Sequence, residues 1–114
     1  MNDCIFCKIV KGEIPSTKIY EDNDMLCFKD IQPEAPVHII IVPKEHIESI
    51  NAITLNNSDI IGKIYLRVSI IAEDLGIKES GYRLVCNCGE DGGQSVNHLH
   101  FHLLGGRKLT WPPG

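Results

Sequence analysis

The sequence predicts a single α+β domain, a mainly antiparallel five-stranded sheet with one long helix and a short N-terminal helix. Three observations carry this. The 114 residues suffice for one hydrophobic core and are too few for two. Short runs of β-branched or alternating apolar residues, separated by Pro, Gly and Asp, recur along the chain. One segment, residues 56–75, carries apolar side chains at helical spacing instead.

Cys4 to Lys11 is expected to form a short helical turn, ended by Gly12 and followed by Pro15. Thr17 to Glu21 and Met25 to Lys29 read as two strands, with Asp22-Asn23-Asp24 as the turn between them. Pro33 and Pro36 bracket a loop. His38 to Val42 is β-branched and apolar enough for a buried central strand, which Pro43 stops. In the helix, Ser58 is the expected N-cap. Ile60, Ile61, Ile64, Val68, Ile71 and Leu75 form the apolar stripe, and Gly76 is the C′ residue. Tyr82 to Cys88 and His98 to Leu104 read as the last two strands, joined by the polar loop Gly89 to Ser95. Trp111-Pro112-Pro113-Gly114 is not regular structure and reads as an ordered or docking tail.

A hydrophobic fraction of 43% and a charged fraction of 23% are ordinary for a soluble globular protein. No apolar run is long enough to span a bilayer, and the N-terminus lacks a secretory pattern, so a cytoplasmic location is expected. Five unevenly spaced cysteines do not make a disulfide framework. The formal charge of −4 argues against a nucleic-acid binder, though not against a site for one small anion.

His98-Leu99-His100-Phe101-His102-Leu103-Leu104 is the most informative stretch. On a strand, Leu99, Phe101 and Leu103 point to the core and the three histidines point the other way, spaced ~6.6–6.8 Å apart. Such a row can follow a phosphate ester, whereas a half-exposed strand rarely carries three imidazoles without use for them. The glycines of the preceding loop allow backbone N–H groups to approach a ligand, and Ser95 can donate or accept a hydrogen bond.

Gly92-Gly93-Gln94-Ser95 followed by this strand resembles the histidine-triad signature, and the likeness runs from Phe6 to the terminal Trp-Pro-Pro-Gly. It is nearest to the purine nucleoside phosphoramidase branch, which implies hydrolysis of purine nucleoside 5′-phosphoramidates through a nucleotidyl-histidine intermediate. His100 matches the nucleophile, and an imidazole suits that role because it is nucleophilic near neutral pH and departs readily afterwards. His102 matches the histidine on a phosphate oxygen, His38 the histidine that supports the pocket, and Ser95 the donor to the leaving amine. Asn87 and Gly93 match contacts around ribose and phosphate. Phe28, Lys29, Asp30 and Ile31 lie in the segment that holds ribose and purine, with Phe6 and Ile9 lining the base. Asp30 is the expected partner of the ribose hydroxyls. For Phe6, Ile9, Phe28 and Ile31 taken singly, plain core is an equal reading. Lys29 stands where some relatives carry histidine.

Cys4 and Cys7 have the spacing with which two thiolates grip one metal; a redox pair is the rival, without the βαβ pattern that would favour it. In zinc-binding members of the family the ligands match Cys4, Cys7, His46 and His98. Two cysteines and two histidines close a tetrahedral site, so the implied zinc is structural. A catalytic zinc held by His98 and His100 is the competing arrangement. Cys86 and Cys88 read as buried small residues on a strand rather than ligands. The resemblance further implies a homodimer in which two sheets join and each tail approaches the partner's site; a tryptophan packed on its own subunit is the plain alternative. Dinucleoside polyphosphate hydrolysis or nucleotidyl transfer, as in other branches, and a nucleotide-sensing role with incidental catalysis remain as alternatives.

Overall fold

A computed structural model describes residues 3–114. Five strands form one antiparallel sheet: β1 (Lys18–Glu21), β2 (Met25–Lys29), β3 (Val37–Pro43), β4 (Tyr82–Val85) and β5 (Phe101–Gly105), in the order β1-β2-β3-β5-β4. Two α-helices, α1 (Ile5–Val10) and α2 (Asp59–Asp74), and a 3-10 turn at Ile50–Ala52 complete the regular structure of the described residues. No helix among them is long and apolar enough to cross a membrane.

The sheet buries both faces. Alternation sends Met25, Cys27, Ile39, Ile41, Phe101 and Leu103 to one side, where Ile64, Val68, Ile71 and Ala72 of α2 cover them. Leu26, Phe28, Ile40 and Val42 point to the other, under Phe6 and Ile9 of α1. This second cover explains why four residues of β2 in succession are buried. Burial also pushes the Cys27 thiol up to about 12, leaving it an inert core residue.

Both helices end as their glycines require. Gly12 (φ +82°) and Gly76 (φ +75°) take left-handed backbone, and the next amides, of Glu13 and Ile77, bond back to the carbonyls of Lys8 and Ala72. The start of α2 differs from expectation. Ser58 is already helical (φ −65°, ψ −21°) and its hydroxyl caps nothing. The turn at residues 54–57 leads in instead: Asn57 Oδ1 accepts from the Thr54 amide at 2.7 Å, and the Asn57 carbonyl accepts from the Ile60 amide at 3.3 Å.

The histidine strand is shorter than its alternation predicts. The ladder begins at Phe101, opposite Ile41, so Leu99 would fall opposite Pro43. Proline offers no N–H there, and its carbonyl is taken by the His98 ring at 2.9 Å. Leu99 turns to the next loop and donates its amide to the Ile47 carbonyl at 2.6 Å. Likewise β4 stops at Val85, not Cys88, because the glycine loop folds back on it. A Cβ on Gly92 would lie 2.3 Å from the Cys88 carbonyl oxygen. Cys86 and Cys88 are half-buried rather than fully enclosed on a strand.

Candidate functional site

The register places one row across the sheet face that carries α1. Phe28 of β2, Ile40 of β3, His102 of β5 and Val85 of β4 stand directly opposite one another. A groove of about 570 Å³, the size of a small-molecule site, lies at the β2 end of that row. Phe6, Ile9, Phe28 and Ile40 line its apolar wall, and Asp30 and Lys29 lie at its edge. Phe6, Ile9 and Phe28 are therefore core and groove at once, their rings and methyls packed in the second cluster. Ile31 is 95% exposed, so the plain-core reading does not hold for it; it sits on the rim.

His100 and His98 are enclosed, at 3% and 0% exposure, and His102 is half-buried. The imidazole of His100 meets the edge of Phe6, with ring centroids 4.9 Å apart. Its Nδ1 lies 2.8 Å from the His98 carbonyl oxygen, which only accepts, so Nδ1 carries the proton and Nε2 keeps its lone pair. Burial holds its pKa below the usual histidine value, against the opposing pull of that hydrogen bond and of the Asp30 charge. The result is a neutral imidazole with one defined basic nitrogen.

The same accounting fixes the neighbouring pair. His38 Nδ1 accepts the backbone N–H of Glu34 at 3.0 Å, so a neutral His38 carries its proton on Nε2. That proton points to His102 Nδ1 at 2.9 Å, with Asp30 Oδ2 beside it at 3.3 Å. His102 then accepts at Nδ1 and carries its own proton on Nε2, ready to donate. Burial, and after it the nearness of His100 and His38, lowers the His102 pKa. Asp30, His38 and His102 could be taken for a metal cluster by residue type. The Glu34 amide opposes this, because it occupies one nitrogen of His38 and keeps a proton on the other.

A second cluster lies where α1 meets the loops after β3 and before β5. The ligand atoms of Cys4, Cys7, His46 and His98 lie within 4.8 Å of one another. His98 Nδ1 is 3.3 Å from Cys4 Sγ, 3.5 Å from Cys7 Sγ and 3.2 Å from His46 Nδ1, and Cys7 Sγ is 3.2 Å from His46 Nδ1. A tetrahedral ion with ordinary zinc bond lengths separates two nitrogens by about 3.3 Å and nitrogen from sulfur by about 3.5 Å. The donor set fits. His98 donates its outer Nε2–H to the Pro43 carbonyl, which leaves Nδ1 free to ligate, and burial lowers its pKa, favouring the neutral ligand form. The bond from Leu99 to Ile47 is what sets His98 beside His46. His98 thus belongs to this cluster, and His100 turns away from it.

The remaining expected residues belong to the glycine loop. Asn87 Nδ2 donates to the Gly92 carbonyl at 2.7 Å, and Gly93 takes left-handed backbone (φ +81°). Ser95 is exposed in a hollow with Cys4, His46 and Glu48; among the described residues no hydrogen bond joins it to His100 or His102. Sequence reasoning gave Gln94 no role, yet it stitches this loop down. Its amide donates to the carbonyls of Glu48 and Val96 and accepts from the Gly89 N–H at 3.0 Å. The Glu34 amide was equally unforeseen, since a backbone donor leaves no residue-type signal. At the opposite end of the row, Arg83 donates to the Thr110 carbonyl at 2.9 Å and lies 6.0 Å from the Trp111 ring centroid. Pro113 and Gly114 line a hollow with Asn87 and His102, so in one chain the tail lies beside its own histidines.

Residues 3–110 match the family described as scavenger mRNA decapping enzyme C-term binding. An uncharacterized HIT-like protein of Synechococcus elongatus is 49% identical over 112 residues, covering 98% of this chain and 97% of that protein. A 14 kDa zinc-binding protein of Brassica juncea is 44% identical over 114 residues, covering 98% and 100%. Among solved structures, a HIT family hydrolase from Legionella pneumophila superposes with a TM-score of 0.96 at 50% identity, covering 98% of this chain and 100% of that one. A histidine triad protein from Clostridium difficile gives 0.94 at 50% identity, covering 96% of each. With His100 and His102 on the sheet face that carries the groove, His98 in the Cys4, Cys7 and His46 cluster, and these relatives matching nearly end to end, the chain belongs to the histidine-triad family.

Proposed function

We propose that the protein hydrolyses purine nucleoside 5′-phosphoramidates, releasing the nucleoside monophosphate and an amine. The observation that carries this reading is the pair of opposed imidazoles: His100 keeps Nε2 unprotonated while His102 presents Nε2–H. One can attack phosphorus while the other donates to a phosphate oxygen. The purine lies between the apolar walls of the 570 Å³ groove, and Asp30 accepts from the ribose hydroxyls at its edge. This puts the α-phosphate over β5.

In the first step His100 Nε2 forms a bond to phosphorus as the P–N bond breaks, and the departing nitrogen takes a proton, with the Ser95 hydroxyl as its donor. In the second, water attacks phosphorus and passes a proton to the Ser95 oxygen, restoring its hydroxyl, while the His100–phosphorus bond breaks and the ring nitrogen recovers its lone pair. Burial keeps His100 neutral at the start of each cycle. Asn87 and Gly93 shape the loop around the phosphate, and His38 orients His102. Cys4, Cys7, His46 and His98 hold a structural zinc, which supplies a cross-link between α1 and the two loops and takes no part in the steps. Thiolate ligands suit a reducing cytoplasm. β4 is an edge strand with an unpaired side, consistent with a homodimer in which the two sheets join.

The test is to quench adenosine 5′-phosphoramidate labelled with ³²P at phosphorus during turnover and map the adduct. Label on His100, and its loss in His100→Ala together with a rate drop on the order of a thousandfold or more, is expected. A wild-type rate in His100→Ala overturns the mechanism. Retention of metal by that variant separates the structural zinc from one shared by His98 and His100. Dinucleoside polyphosphates assayed beside the phosphoramidate decide the reaction class.

A further inference from the structure

The tautomer of His38 is set by a backbone group, the Glu34 amide, on the β2–β3 loop (residues 30–36). That loop is mostly exposed; Ala35 is its one buried residue. Within it, the Gln32 amide bonds to the Asp30 carboxylate at 2.8 Å. At its base the Asp30 amide donates to the His38 carbonyl at 3.0 Å, and a further hold comes from the turn after β5. Arg107 donates Nη2 at 2.9 Å and Nε at 3.3 Å to the Glu34 carbonyl, and Nη1 at 3.1 Å to the Lys108 carbonyl. Gly106, in left-handed backbone at φ +89°, lies so close to the loop that a Cβ there would sit 2.9 Å from Pro36 Cβ. The turn thus grips the loop at two successive points, Glu34 and Pro36.

This grip bears on a competition inside the pocket. The Nε2–H of His38 has two acceptors, His102 Nδ1 at 2.9 Å and Asp30 Oδ2 at 3.3 Å. A carboxylate is the stronger acceptor. The proton goes to His102 only while the ring is anchored at its other nitrogen by the Glu34 amide. Freed from that anchor, the ring swings toward Asp30, and His102 loses the bond that keeps its own proton on Nε2.

We propose that Arg107 is a positioning residue: by holding the Glu34 carbonyl it keeps the Glu34 amide on His38 and so fixes the proton of His102 on the nitrogen that faces substrate. The role in turnover rests on the hydrolytic reading above, whereas the effect on the His102 ring does not. The guanidinium fork matters because two of its N–H groups share one carbonyl while a third ties the next residue, a geometry an ammonium cannot copy.

The test combines kinetics with a direct view of the rings. Long-range ¹H–¹⁵N correlation spectra of [¹⁵N]histidine-labelled, metal-loaded protein report which nitrogen of each ring is protonated. In the wild type, His38 and His102 are both expected as Nε2–H. In Arg107→Ala and Arg107→Gln, His102 is expected as a mixture of tautomers, with kcat lowered roughly ten- to a hundredfold, as for a misplaced group, and KM little changed. Arg107→Lys, which keeps one donor, recovers part of both signals and serves as the gentler variant should the others not fold. Unchanged His102 spectra in Arg107→Gln overturn the proposal, whether or not kcat falls. If the wild type hydrolyses no phosphoramidate yet Arg107→Gln still scrambles His102, the clamp stands and the functional reading falls.

Discussion

Replacing His38 separates two jobs that its ring performs at once. The side chain is buried and has three polar partners: the Glu34 amide at 3.0 Å, His102 Nδ1 at 2.9 Å and the Asp30 carboxylate at 3.3 Å. His38→Ala removes all three and leaves the amide and His102 Nδ1 without a partner in a largely closed pocket. The one Nε2 proton serves His102 or Asp30 but not both, so two bonds are lost; at roughly 1 kcal/mol for each buried bond, the loss is about 2 kcal/mol. For a chain of 114 residues this lowers the melting temperature by about 8 °C. Two smaller changes divide that sum. Asn at 38 places its side-chain oxygen near the former Nδ1, so it still accepts from Glu34 but does not reach His102. Gln places its amide nitrogen near the former Nε2, so it donates to His102 and gives up much of the Glu34 bond. His38→Asn is therefore expected to keep the greater share of stability and lose the greater share of kcat, and His38→Gln the reverse. Scanning calorimetry and steady-state turnover of adenosine 5′-phosphoramidate measure the two quantities on the same preparations. If His38→Asn turns over as fast as His38→Gln, the proton direction argued for this pair is wrong.

Two further outcomes follow from other parts of the structure. His46 is the one exposed member of the Cys4, Cys7, His46 and His98 group, so His46→Ala should fold and bind metal more weakly. Elemental analysis after dialysis against chelator should find the wild type loaded and the variant depleted, with a lower melting temperature; equal metal content would remove His46 from the site. Asp22 is a pH probe. Partial burial pulls its pKa up, but bonds from the Tyr20 hydroxyl and the amides of Asp24 and Met25, with the Arg67 charge, outweigh this and hold it below the usual carboxylate value. A depressed carboxyl stabilises the fold above its unfolded pKa of about 3.9, and that stability disappears as pH falls through the lower, folded value. Asp22→Asn should therefore be less stable than wild type at pH 7, with the gap closing in acid; a gap that widens in acid contradicts the assignment.

Much of this protein was legible before folding because it rests on local patterns. Short β-branched or alternating apolar runs between turn residues point to the five strands, the 3.6-residue stripe from Ile60 to Leu75 to α2, and Gly12 and Gly76 to the helix ends. The alternation of Leu99, Phe101 and Leu103 with three histidines predicts opposite faces, and it persists even where the ladder does not. The Cys4-x-x-Cys7 spacing offers two thiolates whatever the fold. Such features survive because side-chain direction is a property of the backbone within a few residues.

Other features depend on groups distant in sequence. The strand begins only at Phe101 because its partner register reaches Pro43, and no local signal in residues 98–104 carries that information. Ser58 fails as a cap because Asn57 and Thr54 close a turn in front of it. The loop bond between Leu99 and Ile47 is what joins His98 to His46, and so what withdraws the first histidine from the other two. Most of all, the proton on each imidazole is decided by a neighbour that sequence pattern does not mark: the His98 carbonyl for His100, the Glu34 amide for His38, and through His38 the ring of His102. Residue types and spacing determine that imidazoles share a face. Which nitrogen is basic and which is a donor depends on backbone groups two to four residues away, whose direction no residue type marks, and on the contact between His38 and His102, 64 residues apart, which only the tertiary structure makes.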